Sequence, residues 1–365
     1  MRFPEFSGEW LNSKLGSIAE FSKGTGISKD QRSETGNPCI LYGELYTRYK
    51  SEVIKNIISK TDLPDTDLVK SKSNDIIIPA SGETAEDIAT ARCVPFDNIL
   101  LGGDLNIIRL MNQDGRFFSY QLNGVRKYDV ATVAQGVSVV HLHAGDLKGI
   151  TVKYPADIAE QRKISEMISL IDDRIETQSK IIEEQETLLK SLADNLISSQ
   201  IANVALNDCV VARASTMKES ELEPSGAFPV FGASGLCGYS NEALEKSDSI
   251  LVTKDGSGVG TCQYATGQHS FLGTLCSLTA KKDVYLPYIY YALLNFNFAS
   301  YKTGLAIPHI YFKDYRKATI YCPSYDEQIR IAFGLERLEA KIIIDRELLN
   351  QFHLQKGYLL SRMFI

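Results

Sequence analysis

The sequence predicts an α+β protein in which two similar globular domains are separated by two long helices. Residues 156–203 contain no proline or glycine and repeat apolar residues in alternating steps of four and three. The same pattern returns 167 residues later at the C-terminus, and residues 135–155 align without a gap with residues 303–323. We therefore predict an internal duplication, with a first domain at 1–155, a central helix at 156–203, a second domain at 204–322 and a C-terminal helix at 323–365.

The central helix carries a heptad seam of the kind that packs against another helix. Its apolar positions are Ile164, Ile168, Ile171, Ile175, Ile182, Leu189, Leu192 and Leu196. Gln178 and Gln185 occupy two further seam positions, where they cost stability and help to fix a register. A helix of about 40 residues would be about 60 Å long, more than one globular core can cover. It therefore needs a partner along its length.

The C-terminal helix is the predicted partner. It repeats the seam with Ile331, Leu335, Leu338, Ile342, Leu349 and Leu359. The offset of 167 residues also relates Glu160 and Gln161 to Glu327 and Gln328. If the two helices pair antiparallel, as in a coiled coil, the two halves of the chain are related by a pseudo-two-fold axis. We expect this arrangement.

In the first domain, short strands bounded by glycines predict an α+β architecture. We predict a strand at 15–21, a buried strand at 76–78, a polar loop at 81–84, a strand pair around Gly102 and Gly103, and a short helix at 116–124.

The second domain shows the same order of elements. We predict a glycine-rich turn region at 228–242, a strand, loop and strand at 248–266, and a short helix that begins at Pro287. The loop that contains Gly256 occupies the place of the 81–84 loop in the first domain.

Composition bounds the class of protein. The chain has 365 residues, of which 44% are hydrophobic, with no run of 18 apolar residues and no secretory signal pattern at the N-terminus. We expect a cytoplasmic protein that makes no contact with a membrane. Seven scattered cysteines, none spaced as CxxC, favour a reduced protein without structural zinc.

No catalytic pattern emerges from the sequence. The glycines at 256, 258 and 260 resemble a cofactor-binding loop, but such loops open a helix, and here the sequence continues as a strand. His141 and His309 occupy equivalent positions in the repeat, without nearby residues at metal-ligand spacing, and we expect both to be structural. We expect no metal and no cofactor in this chain.

Several loops combine small polar, aromatic and basic residues, which suits contact with nucleic acid. The net charge of −6 does not argue against this, because the central helix alone carries ten acidic and five basic residues. From loop position, the candidate DNA-binding residues are Lys23, Thr25, Tyr42, Tyr46, Arg48, Ser81, Gly82 and Thr84 in the first domain and Ser234, Gly235, Tyr239, Lys254, Gly256 and Ser257 in the second. The alternative without a DNA-binding role is that the tyrosines lie at the edge of a hydrophobic core and the basic side chains are simply solvated.

Taken together, these segments resemble the specificity subunit of type I restriction-modification systems. The resemblance rests on RFPEFSGEW at the start, on DIIIPASGETAED, and on a G…H…P…EQ…I passage that occurs twice, each time before a long helix. Residues 155–168 and 323–335 match the regions that the family conserves.

The resemblance implies a non-catalytic subunit with two target-recognition domains, each of which reads half of a split asymmetric site in double-stranded DNA. It implies that the helices set the spacer and dock two copies of a DNA adenine methyltransferase (modification) subunit. S-adenosylmethionine is then the cofactor of that partner. ATP-dependent restriction subunits can join such a complex, and this sequence does not decide whether they do.

Two other functions stay open at this point. A coiled-coil adaptor that binds only proteins would need no basic surface. An enzyme that uses the Gly256 loop would bind a nucleotide or S-adenosylmethionine as an isolated chain.

Overall fold

The computed structural model describes residues 2–136, 138–304 and 307–364, which divide into two compact units. Unit 1 comprises the residues up to Gln178 together with those from Leu348 onward, and unit 2 comprises Ser179–Glu347. Each unit therefore contains one domain and a part of both long helices. Val137, Leu305 and Ala306, which belong to the repeated segments, lie outside the described residues.

The two long helices are present as predicted. The central helix spans Ile158–Ala193 and is followed by a π-helical stretch, Asp194–Ser198, while the C-terminal helix spans Tyr325–Met363. Both helices lack proline, and their apolar positions recur at helical spacing, so tertiary packing of one face stabilises them.

Within unit 1 the two helices run antiparallel. Lys356 lies 2.6 Å from Asp172. Just past the end of the C-terminal helix, Phe364 packs on Phe117 with ring centroids 5.0 Å apart. Phe117 lies in the short helix Gly115–Asn123, whose N-cap residue, Asp114, is bonded to Gln161 of the central helix. Residues later in the C-terminal helix therefore lie beside residues earlier in the central helix, which is the antiparallel arrangement.

The domain of unit 1 is built from two small sheets. Its strands pair in the order Ala19–Lys23, Leu105–Leu110, Asp75–Pro79, Arg92–Val94 in the first sheet, and Ser59–Thr61, Asn37–Ile40, Leu100–Leu101 in the second. Two short ribbons add Trp10–Lys14 with Thr151–Pro155, and Ser81–Gly82 with Val140–His141. Helical segments are Leu15–Ile18, Lys29–Gln31, Glu44–Thr47, Ala85–Ile88, Gly115–Asn123, Lys127–Thr132 and Ala144–Lys148.

Unit 2 repeats this plan. Its first sheet has the order Val210–Ala214, Leu275–Ala280, Ser249–Thr253, Cys262–Ala265, and its second Gly235–Ser240, Phe228–Gly232, Ser270–Phe271. Val204–Ala205 pairs with Thr319–Ile320. Helical segments are Leu206–Cys209, Glu219–Glu221, Leu286–Leu294, Phe298–Tyr301 and Phe312–Tyr315. The recurrence of a four-stranded and a three-stranded sheet, with the short helix Leu286–Leu294 that has Pro287 in its first turn, confirms the duplication.

Three predictions differ from the structure. The two strands around Gly102 and Gly103, Leu100–Leu101 and Leu105–Leu110, belong to different sheets and do not pair with each other. The strand predicted at 15–21 is a helical turn, Leu15–Ile18, followed by the strand Ala19–Lys23. Here the chain leaves its pairing with Thr151–Pro155 and enters the four-stranded sheet, so it must turn. The turn region predicted at 228–242 contains an antiparallel hairpin, because only residues 233–234 are needed to reverse the chain.

The junction between each domain and its helix is the same in both units. In unit 1, Gln161 Oε1 accepts the N–H of Asp114 (3.0 Å) and its Nε2 donates to the Pro155 carbonyl (2.8 Å). In unit 2, Gln328 makes the equivalent bonds to Tyr285 (2.9 Å) and Pro323 (2.9 Å). Asp114 and Tyr285 are the N-cap residues of the two short helices. Each glutamine thereby joins the start of a long helix to its domain.

The two repeated histidines also occupy equivalent places. His141 exchanges backbone hydrogen bonds with Gln135, and His309 does so with Thr303. The following residue donates its N–H to the carbonyl of Ala80 in unit 1 and of Lys254 in unit 2, at 2.9 Å in each case. These equivalent bonds show that the 81–84 loop and the Gly256 loop occupy corresponding positions in their own units, as the sequence predicted.

Candidate nucleic-acid interface

A recess of about 730 Å³ opens on the domain of unit 1. It lies between the segment that follows the strand Ala19–Lys23 and the helical turn Glu44–Thr47. The lining residues that matter here are Lys29, Arg32, Tyr42, Glu44, Arg48 and Asp104. Three cations and two carboxylates thus surround a recess that is open to solvent.

Glu44 organises the charges of this recess. Its carboxylate is buried and accepts bonds from the Ser59 hydroxyl (2.5 Å), the Leu41 N–H (3.2 Å) and Arg48 Nη1 (3.1 Å). Arg32 Nη1 lies 3.7 Å from the same carboxylate. One buried anion therefore holds two guanidinium groups in place from beneath.

The two arginine side chains remain accessible from outside. The exposed fraction is 43% for Arg48 and 34% for Arg32. One carboxylate cannot satisfy ten N–H donors, so both groups keep donors that face solvent. A rigid pair of guanidinium groups is suited to phosphate oxygens and to the acceptor edge of guanine.

Burial affects the neighbours of this cluster. It raises the pKa of Tyr49 to about 12, and the Tyr49 hydroxyl accepts the N–H of Ile58. Burial, with the charge of Glu44, raises the pKa of the Cys39 thiol to about 11. Both groups stay neutral at physiological pH and belong to the packing beneath the recess.

The other candidates of unit 1 lie in three places. Tyr42 and Arg48 line the recess, and Lys23 and Thr25 are exposed at the end of a neighbouring strand. The Tyr46 hydroxyl lies 3.7 Å from the point where a Cβ on Gly82 would stand, so the structure brings these two together. Two further candidates, Ser81 and Thr84, have local structural roles: the first pairs with His141, and the second caps the helix Ala85–Ile88 by accepting the Asp87 N–H.

The candidates of unit 2 divide between a hairpin and a loop. Ser234 and Gly235 form the tip of the hairpin, where Gly235 has a φ of +105° that favours glycine, and Tyr239 pairs with Glu223 at its base. Gln263 Nε2 donates to the Gly232 carbonyl (2.7 Å), which holds the strand after the Gly256 loop beside this tip.

Lys254 is less available than its sequence position suggested. Its Nζ lies 2.6 Å from the carboxylate of Asp255, and its side chain is largely buried. Gly256, at φ +97°, donates its N–H to the Pro308 carbonyl, and Ser257 is exposed. The loop then enters the strand Cys262–Ala265, as predicted, so no helix begins at these glycines.

Glu44, Arg32 and Lys29 were not among the candidates from the sequence. One signal was available, since Glu44 and Arg48 are spaced i,i+4, as in a helical ion pair. A second was the Ser28 to Gln31 capping box that places Lys29 and Arg32 on a short turn. Neither signal reveals that both arginines share one buried carboxylate.

The predicted helix-interface residues separate by exposure. The buried ones are Ile164, Ile168, Ile171, Ile182, Leu189, Ile331, Leu335, Ile342 and Leu359, and the half-buried ones are Ile175, Leu338 and Leu349. Leu192 is 36% exposed, and Leu196 is also exposed, whereas Ala193 and Ile197 are buried in their place. The buried positions step by four from Leu189 to Ala193 and Ile197, and only the last of these lies in the π-helical stretch.

No group of three metal-ligating side chains was found among the residues that the structure describes. In the same described ranges, every helix is too short or too polar to cross a membrane.

Comparison with known proteins connects this geometry with one family. The family model for the type I restriction modification DNA specificity domain matches residues 7–187 and again residues 199–353. A putative type I specificity subunit of Mycoplasma genitalium is 23% identical over 208 residues, which cover 52% of this chain and 54% of that protein. A second, from Mycoplasma pneumoniae, is 23% identical over 254 residues, 59% of this chain and 67% of that protein. The alignment thus spans about half to two thirds of these relatives.

Solved structures share the fold. The crystal structure of a type I restriction-modification S subunit from M. genitalium superposes with a TM-score of 0.69 at 19% identity, covering 100% of this chain and 99% of the other. A chain from a study of complex assembly and conformational transition of the type I R-M system gives 0.59 at 13% identity, with 99% and 98% covered. With its two matched domains and its repeated junctions, this chain belongs to the type I restriction modification DNA specificity family.

Proposed function

We propose that this chain is the DNA sequence-specificity subunit of a type I restriction-modification complex and has no chemistry of its own. The main support is that two domains of the same architecture present different surfaces. Each domain is joined to a long helix by an equivalent glutamine, Gln161 or Gln328. One domain reads one half of a bipartite asymmetric site in double-stranded DNA, and the helices set the gap between the halves.

The recess of unit 1 supports contact with DNA. Arg48 donates to the buried Glu44 carboxylate, Arg32 lies 3.7 Å from it, and Lys29 adds a third cation at the rim. Phosphate contacts position a protein on the duplex, and arginine reads guanine through its N7 and O6 acceptors. Tyr42 offers an aromatic face beside them.

Unit 2 supports contact through a different surface. Its hairpin tip presents Ser234 and Gly235, with Leu236 exposed beside them, and Ser257 follows on the nearby loop. Because the two surfaces differ in charge and in shape, we expect the two half-sites to differ in sequence.

Exposed apolar residues on the helices support the docking of partner subunits. They include Leu170, Leu354 and Tyr358 in unit 1, and Ile181, Leu188, Phe333, Ile343 and Ile344 in unit 2. Apolar side chains on a helix surface mark protein interfaces when they cluster. We propose that each unit docks one copy of a DNA adenine methyltransferase subunit, which carries S-adenosylmethionine, in a cytoplasmic complex that ATP-dependent restriction subunits can join.

The test is the sequence preference of the assembled complex. The chain is co-purified with its methyltransferase subunit, incubated with a randomised DNA library and S-adenosylmethionine, and the methylated adenines are mapped. We expect a split motif with one fixed gap, and a single continuous motif would overturn the proposal. DNA affinity should also fall with salt at a log–log slope near −0.9 per phosphate contact.

The exposed helix residues equally suit an adaptor that binds only proteins. The same complex separates the two functions, because an adaptor would leave the methyltransferase with the same DNA preference in the presence and absence of this chain. S-adenosylmethionine binding by the isolated chain, measured by calorimetry, would instead indicate an enzyme.

A further inference from the structure

One lysine of the C-terminal helix inserts between two carboxylates in unit 1. Lys356 Nζ lies 2.5 Å from Glu52 Oε2 and 2.6 Å from Asp172 Oδ1. The lysine side chain is only 14% exposed, and both carboxylates are buried. Glu52 belongs to the domain and Asp172 to the central helix, so this single ammonium group joins three segments of unit 1.

Hydrogen bonds and an aromatic ring surround the Lys356 ammonium group and its carboxylate partner Asp172. The Tyr120 hydroxyl donates to Asp172 Oδ2 (2.7 Å), and the Ser51 hydroxyl lies 3.1 Å from the same oxygen. The Tyr120 ring centroid lies 5.9 Å from Lys356 Nζ. Arg92 is a nearby cation, but its guanidinium donates to the carbonyls of Leu45 and Tyr49.

Burial acts to lower the pKa of Lys356, and the charges of Glu52 and Asp172 outweigh it, so the pKa is raised. The lysine is therefore charged at physiological pH.

The sequence around Lys356 offers no replacement if the C-terminal helix slides. A shift by one turn would bring Phe352, His353, Leu359 or Leu360 to this place, and a shift by one heptad would bring Leu349 or Met363. All but the histidine are apolar and would leave two buried carboxylates facing hydrocarbon. Only the observed register places a full positive charge between them.

We propose that Lys356 fixes the axial register of the C-terminal helix on the first domain and thereby determines the length of the gap between the two half-sites. A single buried polar residue is known to specify register in helix pairs, because misaligned states leave it unpaired. The inference rests on the proposed function, since a gap exists only if the chain reads a split site.

Unit 2 has no lysine at the position equivalent to Lys356. Asp172 corresponds to Glu339, whose carboxylate accepts the hydroxyls of Tyr291 (2.7 Å) and Tyr290 (3.1 Å). Counting back 167 residues from Lys356 leads to Leu189, which is buried. The tyrosine–carboxylate bond is retained in both units, while the lysine occurs at this position in unit 1 only.

The experiment compares the gap of the assembled methyltransferase complex for the wild type, Lys356→Met, Lys356→Arg and the control Lys341→Met. Lys341 lies on the same helix and pairs with Asp345, but its own side chain is mostly exposed. A register shift of one helical turn, about 5.4 Å, corresponds to between one and two base pairs of about 3.4 Å each. For Lys356→Met we therefore expect methylation of sites with a gap one or two base pairs longer or shorter to rise about tenfold relative to the wild-type gap. Lys356→Arg, which keeps the charge, and Lys341→Met should retain the single gap.

If Lys356→Met does not fold, the triple variant Glu52→Gln, Asp172→Asn, Lys356→Met removes the buried charges together and should fold with the same loosened gap. An unchanged gap in either folded variant, with both half-sites still recognised, would overturn the role of Lys356. A wild type that shows no split motif would instead overturn the proposed function.

Discussion

The two domain–helix junctions of this chain share their hydrogen bonds and differ in their charges. Gln161 and Gln328 make the same two bonds at nearly equal distances, and Tyr120 and Tyr291 each donate to a carboxylate on the following long helix at 2.7 Å. In unit 1 the carboxylate also holds Lys356. The duplicated chain has thus kept the bonds that position backbone and has let the ionic contacts diverge.

The residue before each glutamine shows the same divergence. Glu160 is buried and accepts from Arg2 (2.7 Å) and from the Trp10 indole N–H (3.4 Å). Glu327 is partly exposed and pairs with Arg330 one turn later on its own helix. The glutamate of the first junction therefore binds the N-terminal segment, whereas the ion pair that the structure gives Glu327 lies within its own helix.

The largest expected effect tests whether the charge at the first junction matters more than the shared bond. Asp172→Asn should lower the free energy of unfolding by about 3 kcal/mol or more, because it disrupts a buried ion pair. Glu339→Gln should cost about 1–2 kcal/mol, since it weakens hydrogen bonds from two hydroxyls. Chemical denaturation of the complex measures both, and equal losses would contradict the distinction.

The next effect tests the shared bonds. Gln161→Ala and Gln328→Ala should each cost about 1–3 kcal/mol, because each leaves an N-cap N–H and a proline carbonyl without their partner. Urea denaturation followed by limited proteolysis reports the loss. A loss confined to one variant would show that the two junctions are not equivalent.

The recognition surfaces give a smaller effect, on binding rather than on folding. Arg48→Ala should weaken DNA binding of the complex about tenfold and reduce the salt slope by about one, because it removes one anchored cation. Lys254→Ala should have a lesser effect, because Asp255 already neutralises that ammonium group. Fluorescence anisotropy at several salt concentrations measures this, and a stronger effect of Lys254→Ala would reverse the order of the two surfaces.

The smallest effect is a difference in thiol labelling between the units. Burial and the nearby Glu44 raise the pKa of Cys39 to about 11, so at pH 8 its reactive thiolate is about a thousandth of the total. Cys237, on the hairpin of unit 2, is exposed. Iodoacetamide at pH 8 should therefore modify Cys237 well before Cys39, as peptide mass spectrometry would show. Rapid labelling of Cys39 would mean that the first domain opens in solution.

Periodicity and repetition predicted the parts of the fold that are regular over many residues. The two long helices, the duplication and the strand–loop–strand around Gly256 follow from patterns that need no knowledge of tertiary contacts. The hairpin at 228–240 was missed because its glycines read as turn residues, although they lie in paired strands. The heptad places Leu192 and Leu196 in the seam, whereas in the structure the buried positions step by four from Leu189 to Ala193 and Ile197.

The candidate interface could be predicted only in part. Tyr42 and Arg48 were found because aromatic and basic residues cluster in the sequence there. Arg32 was missed because it meets Glu44 across a turn and a strand, and such a long-range contact leaves no local pattern. The sequence suggested that the Lys254 ammonium group is available to DNA. Its ion pair with the neighbouring Asp255 depends on the loop geometry, which the sequence does not show.

The end of the C-terminal helix also bears on how the chain matures during synthesis. Leu359, Met363 and Phe364 belong to the same hydrophobic core as Leu15 and Phe117. The first domain is therefore synthesised long before the C-terminal residues that complete its core. The part of the C-terminal helix that belongs to unit 2 is synthesised before the part that belongs to unit 1. Part of the core of the first domain therefore stays uncovered until the last turns of the C-terminal helix have been synthesised.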